Sequence, residues 1–209
     1  TVARYYTPSG RCIQKPYTKG DNEEYAMDIL NRYERGEFFS EDSIHQNDSI
    51  VYKTRLGRTV YGGGGIMPDI FVSSDTSDIT SYISQAVSKG LIRQYTFRYS
   101  DAHRKELSQF KNYETLLAHL KQQNILDSFT NYAAEKGLKA RYWQLQRSKK
   151  RLEQSLYANI IYNTLGMLEH VRYINTFDTT VLKAVEVLES GNAFPKLTDA
   201  DSRPTESEE

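Results

Sequence analysis

The spacing of apolar residues changes character once along this chain. Up to Val72 they come in short alternating or β-branched runs broken by turn residues; from Ile79 onward they recur every three or four positions. The first pattern predicts strands over Thr1–Tyr6, Arg11–Gln14, Ile50–Thr54 and Ile70–Val72, with Thr7-Pro-Ser-Gly10 as a turn between the first two. One helix interrupts them, with Asp21 as its N-cap, Glu23 and Glu24 in its first turn, Tyr25, Ile29, Leu30 and Tyr33 as its stripe, and Gly36 as its stop. Ser40–Ser49 is polar and reads as a loop. The stretch from about Lys15 to Arg58 therefore has the pattern of an insertion between strand signals that belong together.

Thr59–Val72 is the hinge between the two regimes. Gly62 to Gly65 remove four consecutive Cβ atoms, which suits positive φ or close approach of backbone. Pro68 biases Met67 toward an extended conformation, and Ile70 and Val72 alternate with Asp69 and Phe71 as in a strand. Beyond the polar connector Ser73–Asp78, the residues Ile79, Ile83, Ala86, Val87, Leu91 and Tyr95 form a helical stripe, and Gly90 leaves open whether this is one helix or two. Asp101 is placed to cap another helix. Tyr113, Leu116, Leu117 and Leu120 mark the next, ending near Asn124, and Ile125–Lys136 one more, closed by Gly137. The longest signal runs from Leu138 to Arg172 without a proline. A last helix is capped by Asp178 or Thr179, buries Val181, Leu182, Val185 and Leu188, and stops at Gly191.

The fold class expected is α+β: a small β-rich segment over 1–75 carrying the inserted helix and loop, a mostly α-helical domain over 76–191, and a Pro-, Ser-, Asp- and Glu-rich tail over 192–209 that reads as disordered. Charge adds one exclusion. Twenty-seven basic residues balance 27 acidic ones, so nothing favours a general nucleic-acid or membrane partner. No apolar run approaches the ~20 residues that span a bilayer. The 16 tyrosines suggest rings buried in helices with hydroxyls at the rim. With no initiator Met before Thr1 and a chain that opens inside a strand, the sequence reads as cut rather than begun.

Candidate chemistry is sparse. His45, His103, His119 and His170 form no i, i+4 pair, so they read as surface or capping histidines, and no metal ligands or cofactor-binding residues are assigned. The glycine run has no Gly-Lys-Ser/Thr after it and precedes a strand, which excludes a phosphate loop. Arg141, Arg147, Lys149, Lys150 and Arg151 read as a solvated helix face, with Tyr142 and Trp143 in the core. Cys12, the single cysteine, has no neighbouring base and reads as a packed strand thiol.

Two ordered motifs carry a resemblance. Thr1-Val-Ala-Arg-Tyr-Tyr-Thr-Pro-Ser-Gly-Arg11 and, later, Gly65-Ile-Met-Pro-Asp-Ile-Phe-Val72 resemble the last strands of the carboxyl-terminal processing proteases, tail-specific serine peptidases. The likeness covers about the first 75 residues. The insertion resembles the version in envelope proteases of Bacteroides-like bacteria, whose longer members carry a helical C-terminal extension.

That resemblance implies a mechanism in which a serine attacks the peptide carbonyl and a lysine kept neutral by burial serves as general base. In the family, both residues and the PDZ domain that engages substrate C-termini precede the first motif. No catalytic residue is therefore carried over to this chain. What carries over is structural: Ala3, Tyr5 and Tyr6 as strand residues, Thr7 to Arg11 as the turn, and Ile66, Pro68 and Asp69 as entry to the closing strand. The expectation is a non-catalytic C-terminal portion of a periplasmic or cell-envelope serine endopeptidase, partnered with its upstream catalytic and PDZ portions. A polypeptide substrate, no nucleic acid and no cofactor complete it, and the exposed strands allow a homodimer. The alternative is a free-standing helical protein-interaction module.

Overall fold

A computed structural model of the chain describes residues 3–15, 22–44, 50–63 and 65–191. The architecture is α+β and mostly helical. Two compact units divide it: one takes in residues 1–74 and 187–209, the other Asp75–Glu186.

In the first unit, helix α1 (Asn22–Glu34) ends at Gly36, whose φ of 82° lets its N–H turn back to the Tyr33 carbonyl at 3.0 Å. A 3-10 turn follows at Glu41–Ser43. Strands β1 (Val51–Lys53) and β2 (Thr59–Tyr61) pair antiparallel, with Tyr52 opposite Val60. Their turn is closed by Thr54 N–H to the Arg58 carbonyl and Gly57 N–H to the Thr54 carbonyl, both 2.9 Å. The N-terminal segment folds back through Thr7–Gly10, where the Gly10 N–H meets the Thr7 carbonyl at 2.9 Å, and forms a single antiparallel bridge, Tyr6 to Cys12.

The glycine run joins these two pieces. Gly62 extends the ladder by donating to the Ile50 carbonyl at 2.8 Å, and a Cβ there would stand 2.8 Å from Tyr52 Cε2. Any larger residue there would force the Tyr52 ring to shift. Gly63 takes φ 98°, and the Gly65 N–H then reaches the Ile13 carbonyl at 2.8 Å, while Arg11 Nη1 donates to the Tyr61 carbonyl at 3.3 Å. Gly64 lies outside the described residues.

Several predicted strands are corrected. Ile70–Val72 is irregular, with Ile70 45% exposed, and the strand at this end is Thr59–Tyr61 instead. Thr1–Tyr6 and Arg11–Gln14 reduce, among the described residues, to the one bridge; Thr1 and Val2 lie outside them. A strand needs a continuous ladder of hydrogen bonds to a neighbour; the N-terminal pair has only the bridge and a few flanking bonds, such as Ile13 N–H to the Tyr5 carbonyl at 3.3 Å, and no described residue pairs with Ile70–Val72 as a strand. Pro68 also contributes no N–H. Asp21, the Tyr25 and Glu24 side chains, residues 45–49 and the tail over 192–209 lie outside the described residues as well.

The first unit has little interior. Among its described residues only Glu37 and Gly57 are buried. Ile29 is 69% exposed, and Leu30, Tyr33, Tyr5, Tyr6, Leu56 and Ile66 are exposed too, so Ile29, Leu30 and Tyr33 of the expected α1 stripe are not buried, although the Tyr33 ring meets Phe39 edge-on at 5.2 Å. The one buried side chain among its described residues is charged: Glu37 accepts from Arg32 Nε at 2.7 Å and from Arg35 Nε at 2.8 Å. Burial raises the Glu37 pKa, but these two guanidinium partners outweigh it and hold the carboxyl below its ordinary value.

The second unit is built around one long helix. It comprises α2 (Ser81–Ser88), α3 (Leu91–Ala102), α4 (Arg104–Leu107), α5 (Tyr113–Leu120), α6 (Ile125–Glu135), α7 (Tyr142–Leu165), α8 (Met167–Asn175) and the greater part of α9 (Thr179–Glu189). Helix α7 packs against α2, α3, α5, α6 and α8. Its Leu152, Leu156, Ile160 and Ile161 are fully buried with Tyr82, Leu116, Leu120, Ile125 and Phe129. Asn112 caps α5 through Oδ1 and the Thr115 N–H at 3.0 Å, and Glu169 of α8 adds an acceptor for the Tyr113 N–H at 2.7 Å.

Two glycines decide the helix count. Gly90, at φ 67°, separates α2 from α3, which resolves the open question in favour of two helices. Gly166, at φ 86°, divides the predicted Leu138–Arg172 helix, and α8 turns back so that His170 Nδ1 lies 2.9 Å from the Ala158 carbonyl. Three further expectations are corrected. Asp101 lies inside α3, paired with Arg104 at 2.7 Å, and caps nothing. Val87, part of the predicted stripe, is 61% exposed, off the buried face of α2. Asp178 Oδ1 does accept from the Thr180 N–H at 2.9 Å, but Val181, Leu182, Val185 and Leu188 are not buried, because no described element covers that stripe of α9.

Candidate functional site

The residues singled out for chemistry are spread apart and engaged locally. His103 Nδ1 lies 2.9 Å from the Tyr99 carbonyl, with its ring stacked on Tyr99 at 4.2 Å. His119 Nε2 stands 3.2 Å from Glu106 Oε1, its ring against Phe110. His170 is fixed between Ala158 and the Tyr162 ring, and His45 lies outside the described residues. Among the described residues no three His, Cys, Asp or Glu side chains converge as metal ligands would. Cys12 is a half-buried free thiol in the bridge with Tyr6.

The basic cluster of α7 has a structural use. Arg151 Nε donates to Asp78 Oδ1 at 2.6 Å and Nη2 to the Asp75 carbonyl at 2.9 Å; Arg147 Nε donates to the Ser77 carbonyl. Beneath them Ser148 Oγ donates to the Asp78 carbonyl at 2.7 Å and meets Thr80 Oγ1 at 2.8 Å, both hydroxyls being buried. Gln144 Nε2 reaches Ser81 Oγ at 2.7 Å. The buried face of α7 here is Gln144–Ser148–Leu152–Leu156, at four-residue steps. Tyr142 and Trp143 fall off that face and are 79% and 54% exposed, contrary to their predicted place in the core.

A concave site among the described residues lies on α3, α4 and the last turn of α7. Phe97, Ser100, Asp101, Arg104, Leu107, Ser108, Asn163 and Thr164 line an open cavity of about 340 Å³. The Ser100 and Thr164 hydroxyl oxygens are shielded from solvent, and neither has a hydrogen-bond partner among the described residues. Phe97 stands at the rim, 65% exposed. The ion pair Asp101–Arg104 supplies both signs of charge and no net charge. Neither hydroxyl is hydrogen-bonded to the Asp101 carboxylate of the same lining. Of these residues the sequence alone marks out Asp101, and that as a helix cap. The one trace of a site was polar Asn163-Thr164 ending an otherwise apolar helix face just before Gly166.

A family model described as a family of unknown function (DUF8443) matches residues 82–166, from within α2 to Gly166, and so includes the whole cavity lining. No curated protein and no solved structure matches the chain.

Proposed function

We propose that this chain is the non-catalytic C-terminal portion of a serine-type endopeptidase that processes protein C-termini. The first unit completes the peptidase core, and the helical unit is its accessory domain. The reading rests on the two motifs at 1–11 and 65–72, and the observation that carries it is the bare apolar surface of the first unit. Its described residues bury no apolar side chain while Tyr5, Tyr6, Ile29, Val51, Ile66 and Ile70 are exposed. A single two-stranded hairpin is marginal in water and gains stability from further strands or a packed helix. Upstream strands of the same protein would supply both cover and hydrogen-bond partners. The nucleophilic serine, the general-base lysine and the PDZ domain then belong to that upstream portion, the substrate is a polypeptide, and the compartment is the periplasm or cell envelope.

The test is the reading frame that precedes the Thr1 codon. An in-frame PDZ domain and Ser–Lys dyad are expected, the joined protein cleaving unstructured peptides with apolar C-termini and the 209-residue chain alone cleaving none. An initiator Met close to Thr1, or specific cleavage by the chain alone, would overturn the proposal. A second reading, a self-sufficient helical interaction module, is favoured by the separate core of the Asp75–Glu186 unit and by a family match confined to 82–166. It predicts that a transcript starting near Thr1 exists and that the helical unit alone keeps its function.

A further inference from the structure

We infer that the cavity on α3, α4 and α7 is a binding site for a neutral polyhydroxylated ligand, a mono- or disaccharide. The inference stands apart from the peptidase reading, since every residue it uses lies in the helical unit.

Three features set the chemistry. Buried hydroxyls are normally hydrogen-bonded, and an orphan costs its full desolvation. Two orphans, Ser100 Oγ and Thr164 Oγ1, belong to residues that line one cavity. In the proposed complex each side chain turns about χ1 to present its hydroxyl to the ligand, to which it can both donate and accept. A ligand with the same dual capacity, an alcohol, matches them. The second feature is charge. Asp101 Oδ1 and Arg104 Nη2 are 2.7 Å apart and offset each other, so the lining carries no net charge to favour a phosphate, a carboxylate or a cation. Their planar carboxylate and guanidinium, with the Asn163 amide, present paired acceptors and donors suited to vicinal hydroxyls. Third, the exposed Phe97 ring at the rim offers an apolar wall for the C–H face of a pyranose. A purely apolar occupant would leave the Asn163 amide and both hydroxyls unpaired. The volume, about 340 Å³, is at the small end of the ~300–1,000 Å³ range of small-molecule sites.

The experiment is a titration of the full chain followed by amide nitrogen–proton spectra. D-glucose, D-mannose and N-acetyl-D-glucosamine are the probes, with sodium phosphate, sodium acetate and glycine at equal concentration as charged controls. Saturable shifts at Ser100, Asp101, Asn163 and Thr164 are expected with at least one sugar, at a dissociation constant on the order of 1 mM, and not with the controls. Thr164→Val and Arg104→Gln should each weaken that binding about fivefold or more. Arg104 is solvent-exposed, so its variant reports on binding even where Thr164→Val disturbs the fold. Absence of saturable shifts with all three sugars would mean that the hydroxyls hold only water, and would overturn the inference. Saturation by phosphate, acetate or glycine equal to or tighter than any sugar would overturn it equally, as would sugar affinity unchanged in Arg104→Gln.

Discussion

Glu169→Ala offers the sharpest test of how the helical unit is held together. Glu169 is 8% exposed and joins two helices: Oε2 accepts the Tyr113 N–H of α5 at 2.7 Å, and Oε1 accepts Arg172 Nη1 at 2.6 Å. The Tyr113 N–H is one of the first-turn donors that α5 cannot satisfy itself. Losing a hydrogen bond to a charged acceptor costs about 1.5–3 kcal/mol. Removing an anion from a helix N-terminus adds about 0.3–1 kcal/mol. Arg172 is 58% exposed and rehydrates when released, so its share is small. The expected loss is about 2–4 kcal/mol, or roughly 8–16 °C in Tm for a unit of this size. Glu169→Gln keeps the volume but only one acceptor oxygen, and should lose about half as much. Urea unfolding followed by circular dichroism gives the free energies, and amide exchange at Tyr113 and Leu116 locates the loss. Both variants within ~0.5 kcal/mol of the parent, or unchanged protection at Tyr113, would refute the reasoning.

Four further outcomes follow from the same geometry. Tyr82 is 1% exposed, and its hydroxyl has no partner among the described residues, so Tyr82→Phe should leave stability equal or raise it by up to ~1 kcal/mol; a loss above that would show a hidden partner. Gly62→Ala places a Cβ 2.8 Å from Tyr52 Cε2, whereas Gly65→Ala meets nothing within 4 Å and carries only the strain of φ 76°, about 1 kcal/mol. Hairpin amide exchange should therefore quicken more in Gly62→Ala, and the reverse order would contradict the close contact. Burial, with neighbouring Tyr95 and Glu106 for Tyr99 and Tyr157 and Glu153 for Tyr173, pushes both phenols up to about 12. Because these folded values lie above the ordinary 10, their contribution is complete below pH 10 and is lost as pH rises toward 12; spectrophotometric titration should show these two ionising late, and stability flat across that window would contradict it. The exposed Tyr5, Tyr6, Ile70 and β1 edge should drive self-association of the isolated chain, read as a rising mass in sedimentation across a concentration series. A monomer throughout would remove the edge-pairing expectation.

Local chemistry was legible from the chain alone wherever a residue acts on its own backbone. Gly36, Gly137 and Gly191 stop helices at positive φ, Asp178 caps α9, and the change of apolar period near Val72 separates a strand-and-turn segment from a helical one. These effects need only neighbours a few positions away, so sequence order carries them. Burial was different, because an apolar stripe states that a helix can be covered and not that anything covers it. The stripes at 113–120 and 152–161 found α7 and its partners; those at 29–33 and 182–188 found no described element and stayed exposed. The predicted strand at Ile70–Val72 failed for the matching reason, since a strand is a property of a pair and hydrogen-bond partners are chosen in three dimensions. Only the tertiary structure turned Arg147 and Arg151 from a basic patch into a clamp on the connector. It alone brought Ser100 beside Thr164 from helices far apart in the chain, because a cavity belongs to the space that packed elements leave between them, and no residue order records that space.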